Sequence, residues 1–211
     1  MFQFNSNTIV NKELKVREII KLINGDSLIK KEAVNIEKIT LKNIISKDTL
    51  NIKSDEQCKE IYVFLIVLKQ REVPINFIKA FDKFIQLHTY FVFQYKYYFK
   101  DLCIYRTIED SVIRRGKLYE KDWEEEKLLE IPYCIDVLEV YKRLVMSFID
   151  LKPRDEEELD TFIKRYDEIQ KLKRDINILE KKAFKETQPR KKFEYGREVR
   201  KIKEKLALLE R

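Results

Sequence analysis

The sequence predicts an α+β fold: a small mixed β-sheet covered by helices, followed by a long charged C-terminal helical hairpin or coiled coil. Three observations carry this. The chain has 13 Phe and 11 Tyr but only three Gly and four Pro, which favours regular elements, short connections and a real core. Glu60–Leu68, EIYVFLIVL, is β-branched and aromatic on both alternations, the pattern of a central strand covered on both faces. Residues 150–211 hold 19 Lys/Arg and 15 Asp/Glu in 62 positions, with apolar residues three and four apart. Such a helical segment has no core of its own and must lie against a partner.

Taken in order, Asn11 is placed to cap a helix carrying Leu14, Ile19, Ile20 and Ile23, with Gly25 as its stop. Asp26 caps a second short helix reaching about Val34. Ile39 and Leu41 alternate as in a strand. Ser46 to Thr49 reads as a turn, and Leu50 to Ile52 as a short strand. Pro74 opens a helix whose buried stripe is Ile78, Phe81 and Ile85, flanked by Phe77 and Phe84. His88 to Phe99 is an aromatic strand, and a turn near Lys100 and Asp101 leads into Leu102 to Arg106 as a hairpin. Residues 108–133 are less regular, with Gly116 as a bend and Trp123 as an anchor. Asp136 caps a helix bearing Val137, Leu138, Tyr141, Leu144, Val145 and Phe148.

Leu151 to Arg154, which includes Pro153, marks the boundary between a body, 1–149, and a tail, 150–211. In the tail Leu159, Phe162, Tyr166, Ile169, Leu172, Ile176, Leu179 and Ala183 form one heptad-like seam. Beyond Pro189, Tyr195, Val199, Ile202, Leu206 and Leu209 form another. The two helices suit an antiparallel hairpin or pairing between chains.

The net charge of +7 is uneven. Residues 1–149 carry 25 basic and 22 acidic side chains, residues 150–168 carry 4 and 8, and residues 171–211 carry 15 and 7. The distal tail thus supplies more than the whole excess, an electrostatic footprint for a polyanion. The alternative is a solvated helix with interspersed ion pairs. Three Cys without metal spacing fit a reducing cytosol. No apolar run is long enough to span a bilayer, and the first residues lack a signal-peptide pattern. The expectation is a cytoplasmic protein with no membrane contact.

Four segments carry a family resemblance: Ile44 to Ile52; Glu60 to Phe64 with Leu68 and Lys69; Ile78 to Ile85; and Tyr119 to Trp123. In order and spacing they resemble the bacterial domain of unknown function 4391, as do the charged helices from about Glu180 through Leu206. The resemblance implies a setting beside restriction–modification and helicase genes in bacterial defence islands. It implies no catalytic residues. A Lys-Arg pair associated with the family's hairpin strand is Tyr105-Arg106 here, so any role through cations there would rest on Arg106.

Asp48, Glu60 and Lys69 are the residues from which a metal-dependent nuclease site of restriction-endonuclease type could be built, since it needs two carboxylates and a Lys at one strand end. Glu60 and Lys69 bracket one strand, however, roughly 30 Å apart at strand rise. The aromatic strand could stack single-stranded bases or simply pack. His88, the sole histidine, supports neither a triad nor a His-based metal site. Three glycines do not make a phosphate loop. No cofactor and no metal site are expected.

Residues 190–205 hold eight cations against three acids. Arg190, Lys191, Lys192, Arg197, Arg200, Lys201 and Lys205 are the candidate nucleic-acid contacts, and binding there would be sequence-blind and salt-sensitive. The leading expectation is a non-enzymatic accessory subunit of a bacterial DNA-processing or antiphage assembly. Its tail would engage a helicase subunit, a methyltransferase subunit or DNA. The alternatives are a degenerate metal-dependent nuclease and a homodimerising scaffold paired through the tail.

Overall fold

The structure, a computed structural model, describes residues 2–3, 5–53, 55–109, 112–125, 129–130 and 133–210. Contacts divide the chain into two compact units, Met1–Phe148 and Ile149–Arg211. In chain order the first holds β1 (Phe2–Gln3), a 3-10 turn (Ser6–Thr8), β2 (Ile9–Leu14), α1 (Val16–Leu22), α2 (Ser27–Ala33), β3 (Ile36–Ser46), α3 (Lys47–Leu50) and β4 (Glu60–Leu68). It continues with α4 (Ile75–Ile85), β5 (His88–Tyr95), β6 (Tyr98–Glu109), β7 (Val112–Glu120), β8 (Glu124–Glu125), β9 (Leu129–Glu130) and α5 (Val137–Met146). The second holds α6 (Leu159–Lys185) and α7 (Pro189–Glu210).

The chain is α+β, with one mixed sheet ordered β2-β3-β4-β5-β6-β7 and β8 pairing β6. The β4–β5 pair is parallel, as the α4 crossover between those strands requires. The other neighbours in the sheet are antiparallel. β4 lies centrally, as its composition predicts, with Ile61, Val63, Phe64, Ile66 and Leu68 buried.

Strand alternation sorts side chains onto two faces. One face carries Phe64, Ile66, Leu68, Phe91, Phe93, Leu102 and Ile104, in one cluster with Ile19 of α1, Ala33 of α2, and Phe77, Ile78 and Phe81 of α4. Phe64 stacks on Phe91 at 5.6 Å and meets Phe81 edge-on at 5.1 Å. On α5, Val137, Val140, Tyr141, Leu144 and Val145 are buried. Tyr141 meets two side chains of the other alternation, lying edge-on to His88 at 4.3 Å and parallel to Tyr105 at 6.2 Å. The first half of the aromatic strand is therefore core, with Tyr90, Phe91 and Phe93 fully buried, while Tyr97 at the turn is exposed.

Capping explains several boundaries. Asp26 accepts from the Ile29 amide at 2.8 Å and Asp136 from the Glu139 amide at 2.7 Å, as their positions predict. Ser46 and Thr49 form a reciprocal capping box. The expected turn there is thus the start of α3, and Leu50 ends that helix instead of opening a strand.

Other expectations differ. Asn11 does not cap a helix. It sits inside β2 at φ 51°, where the register with β3 shifts, a left-handed position that Asn tolerates. Helix α1 closes with Asn24, not Gly25, in the left-handed conformation, at φ 49°. The Gly25 amide then reaches the Ile20 carbonyl and the Asn24 amide the Lys21 carbonyl, a Schellman ending. The hairpin turn falls at Lys96-Tyr97, with Tyr95 opposite Tyr98 and Lys96 at φ 54°. Gly116 does not end a strand: it lies within β7 where the register with β6 shifts, and an added Cβ would stand 2.8 Å from the Tyr105 ring. Phe84 is 49% exposed, while the unforeseen Asp82 is fully buried.

Candidate nucleic-acid interface

The C-terminal unit is an intrachain antiparallel helical hairpin. Helix α6 buries Leu159, Phe162, Ile163, Ile169, Leu172 and Ile176, and α7 buries Val199. Tyr195, Ile202, Leu206 and Leu209 are half-buried, which is the heptad spacing at work. Pro189 occupies the first position of α7, where its missing N–H costs nothing. The Glu186 carboxylate accepts from the amides of Thr187 and Gln188, both at 3.0 Å, to close the turn. The seam that the sequence also allowed for pairing between chains is filled within the chain.

Two arginines tie the far end of the hairpin. Arg165 grips Glu157 bidentately, Nε to Oε1 at 2.8 Å and Nη2 to Oε2 at 2.7 Å. It also donates to the carbonyls of Lys152 and Leu209. Arg154 donates to the Leu208 carbonyl at 2.9 Å. Guanidinium groups at the last carbonyls of α7 suit the negative end of the helix dipole. Hydrogen bonds from Arg165, followed by one from the Arg154 amide, hold the Glu157 carboxyl below its ordinary range.

The seven candidate cations divide by what they touch. Lys205 pairs with Glu168 of α6 at 2.6 Å, and Arg190 with Glu194 of its own helix at 3.4 Å. Lys203 pairs with Glu180 at 2.8 Å. Lys191, Lys192, Arg197, Arg200 and Lys201 are exposed and make no ion pair among the described residues. At about 100° per residue, Arg190, Arg197 and Lys201 lie on the side opposite Val199, with Arg200 beside them. The helix therefore spends some of its positive charge on α6 and leaves the rest exposed, Arg197, Arg200 and Lys201 away from Val199 and Lys191 and Lys192 near its start.

Asp48, Glu60 and Lys69 are not brought together. Asp48 is exposed in α3, and Glu60 lies at the first residue of β4, opposite Ser46. Lys69 follows the far end of that strand and donates to the Val34 carbonyl at 2.8 Å. Burial, followed by the Glu60 carboxylate, raises the Tyr62 hydroxyl above its ordinary pKa. Beside Lys69, the amides of Asn76 and Phe77 at the start of α4 are held by Glu32 at 2.8 and 2.9 Å. The chain's own carboxylate thus fills a helix N-terminus that would otherwise suit an anion. Among the described residues no group of three or more His, Cys, Asp or Glu is placed to hold a metal ion.

The body's other polar cluster is a buried ion pair. On β6, Leu102, Ile104 and Arg106 alternate toward α4, so the guanidinium arrives beside Asp82, one residue after the buried Phe81. Arg106 Nη2 lies 2.6 Å from Asp82 Oδ1, with side chains 1% and 0% exposed. It also donates to the Asp82 carbonyl, and Thr89 Oγ1 donates to Oδ1 at 2.5 Å. The Arg106 amide donates to Tyr141 Oη at 2.8 Å. Arg106 is the cation at the position where the family resemblance placed a Lys-Arg pair. Its charge is committed to Asp82 inside the core and is not offered outward.

Next to it, burial and then the Arg106 charge lower the His88 pKa to about 4. His88 is thus a buried, neutral residue at the start of β5. The three cysteines are buried and none is in a disulfide among the described residues. Burial raises each thiol, Cys103 to about 12. None is a thiolate nucleophile at neutral pH.

Sequence reasoning missed Asp82, Arg165 and Glu157. A signal for Asp82 existed: it continues the apolar stripe of α4, where a charge needs a buried partner. Arg165 had none, because its acceptors Glu157, Lys152 and Leu209 are set by the hairpin's closure.

Comparison with known proteins gives one match. Residues 6–206 fit the family model described as Domain of unknown function (DUF4391). No curated protein and no solved structure matches.

Proposed function

The chain belongs to the DUF4391 family, and from that premise we propose that it is a non-enzymatic accessory protein that engages nucleic acid through the outward face of α7. The observation that carries this reading is the division of charge on that helix. Lys203 and Lys205 are neutralised by α6, while Lys191, Lys192, Arg197, Arg200 and Lys201 are exposed without an ion pair among the described residues. Arg197, Arg200 and Lys201 gather on the side away from α6 while Lys191 and Lys192 are exposed near the start of the helix, and exposed like charges repel one another, so these cations suit a polyanion better than they serve the fold. The biological setting is a bacterial DNA-processing or antiphage assembly, with a helicase or methyltransferase subunit as its protein partner. That setting rests on the family resemblance.

Fluorescence anisotropy with a labelled duplex tests the reading. Contact with about five phosphates predicts a loss of affinity of roughly 10²- to 10³-fold between 50 and 200 mM salt. Reversing Arg197, Arg200 and Lys201 to Glu should abolish binding at 50 mM salt while circular dichroism stays unchanged. No binding by the intact protein at that salt, or binding indifferent to the reversals, would overturn it.

A further inference from the structure

The closed end of the hairpin carries something the phosphate reading does not use. Phe184 near the end of α6 and Phe193 in the second turn of α7 are 87% and 69% exposed. The antiparallel register fixed by Glu168–Lys205 and Glu180–Lys203 brings these two positions to the same end. Residues 181–193 hold Lys181, Lys182, Lys185, Arg190, Lys191 and Lys192 against one acid, Glu186. Glu186 is occupied with the turn amides.

We propose that this tip binds unpaired nucleic acid, with Phe184 and Phe193 stacking on bases while the surrounding cations hold the strand's phosphates. The proposal rests on the nucleic-acid reading of α7 and adds to it a contact made only with single strands.

The surroundings of each ring decide among occupants. Three and four residues from Phe193 stand Arg190, Pro189, Gly196 and Arg197, and Arg200 follows at seven. Three and four residues before Phe184 stand Lys181 and Glu180. Along its own helix each ring is thus flanked mainly by charged residues, with Pro189 and Gly196 beside Phe193. A bilayer or a partner helix gains from contiguous apolar area. A base needs only one ring face and a nearby cation, and stacking of this kind tolerates any sequence. A second copy of the tip is disfavoured because six cations would meet six.

Gly196 adds an independent observation. A glycine inside an exposed helix lowers its stability, and here no packing explains it: an added Cβ would meet nothing within 4 Å. Its position, one turn after Phe193, leaves the space beside the ring open.

The test compares the full chain binding labelled 30-mers of oligo(dT) and oligo(U), a duplex of equal length, and vesicles of phosphatidylcholine with phosphatidylserine. Phe184→Ala and Phe193→Ala should each weaken single-strand binding by roughly 10-fold and change duplex binding by less than about 2-fold. Phe193→Trp should retain affinity, and its fluorescence should be quenched by the single strands. Equal loss on duplex and single strands, no loss on either, or tighter binding to the vesicles than to single strands would overturn the proposal. Loss of all nucleic-acid binding on reversal of Arg197, Arg200 and Lys201, together with indifference to both Phe variants, would sink this inference alone. No binding of any nucleic acid would sink both readings.

Discussion

Replacing Asp82 by Ala should destabilise the body more than a typical single substitution does. The carboxylate is fully buried, 2.6 Å from a guanidinium that is 1% exposed, and it also accepts from Thr89 at 2.5 Å. Removing it leaves Arg106 charged among Leu102, Ile104 and Phe81, and leaves the Thr89 hydroxyl without that acceptor. Breaking a buried pair from one side costs about 3–5 kcal/mol, because the surviving charge keeps its desolvation penalty. That is a large share of the roughly 5–15 kcal/mol that holds a domain together. At a slope of about 2 kcal/mol per molar urea, the midpoint should fall by about 2 M. Trp123, the only tryptophan, lies in the body and reports the transition by fluorescence. The combined change Asp82→Leu, Thr89→Val and Arg106→Met removes both charges and the hydroxyl together, and it should recover most of the loss. A loss below about 1 kcal/mol for Asp82→Ala, or a triple variant no better than the single, would refute the idea that the pair is held as a unit.

Three further outcomes follow from other sites. His88 binds its proton near pH 6.5 when unfolded but only near pH 4 when folded. The unfolded chain therefore binds more protons between those values, and stability falls as pH drops through that window, by about 3 kcal/mol in total. His88→Gln should flatten that part of the urea midpoint's pH profile, and an unchanged slope would contradict a buried neutral imidazole. Arg165→Ala should cost the hairpin about 3 kcal/mol, and Arg165→Lys should recover only part, since an ammonium cannot make the bidentate grip. Amide hydrogen exchange across residues 159–210 reads this, and unaltered protection near Leu209 would count against the anchoring role. Gly196→Ala should raise protection across α7 by about 1 kcal/mol, because the added Cβ meets nothing; a lower protection would mean that the helix needs the glycine for its own packing.

Much of the architecture was legible where the signal is local. The caps at Asp26 and Asp136, the start of α4 after Pro74, the central strand β4 and the heptad seams all follow from residues within a few positions of one another. The misplaced features share a cause. Lys96-Tyr97 carries no Gly, Asn or Pro, so nothing in the sequence marks it as a turn. It becomes one because β6 must pair with β5 in the register that puts Leu102 opposite Phe91. Residues 108–133 read as less regular, yet 112–120 form β7 beside β6, because strand pairing supplies what local pattern does not. Asn11 and Asn24 show that one residue type can cap, bulge or close a helix, and only its neighbours in space decide which.

By itself the sequence determined the α+β class, the run of capped helices and the concentration of positive charge in α7. Those are properties of composition and short-range spacing. Tertiary structure alone decided which charges are used up. It placed Arg106 against Asp82, Arg165 against Glu157, and Lys203 and Lys205 against α6, partners 8 to 37 residues away in the chain. A cation's role depends on whether folding brings a carboxylate within reach, and neither composition nor periodicity encodes that distance. The cations left over on α7, with the two bare rings at the hairpin's end, became visible only after that pairing was known.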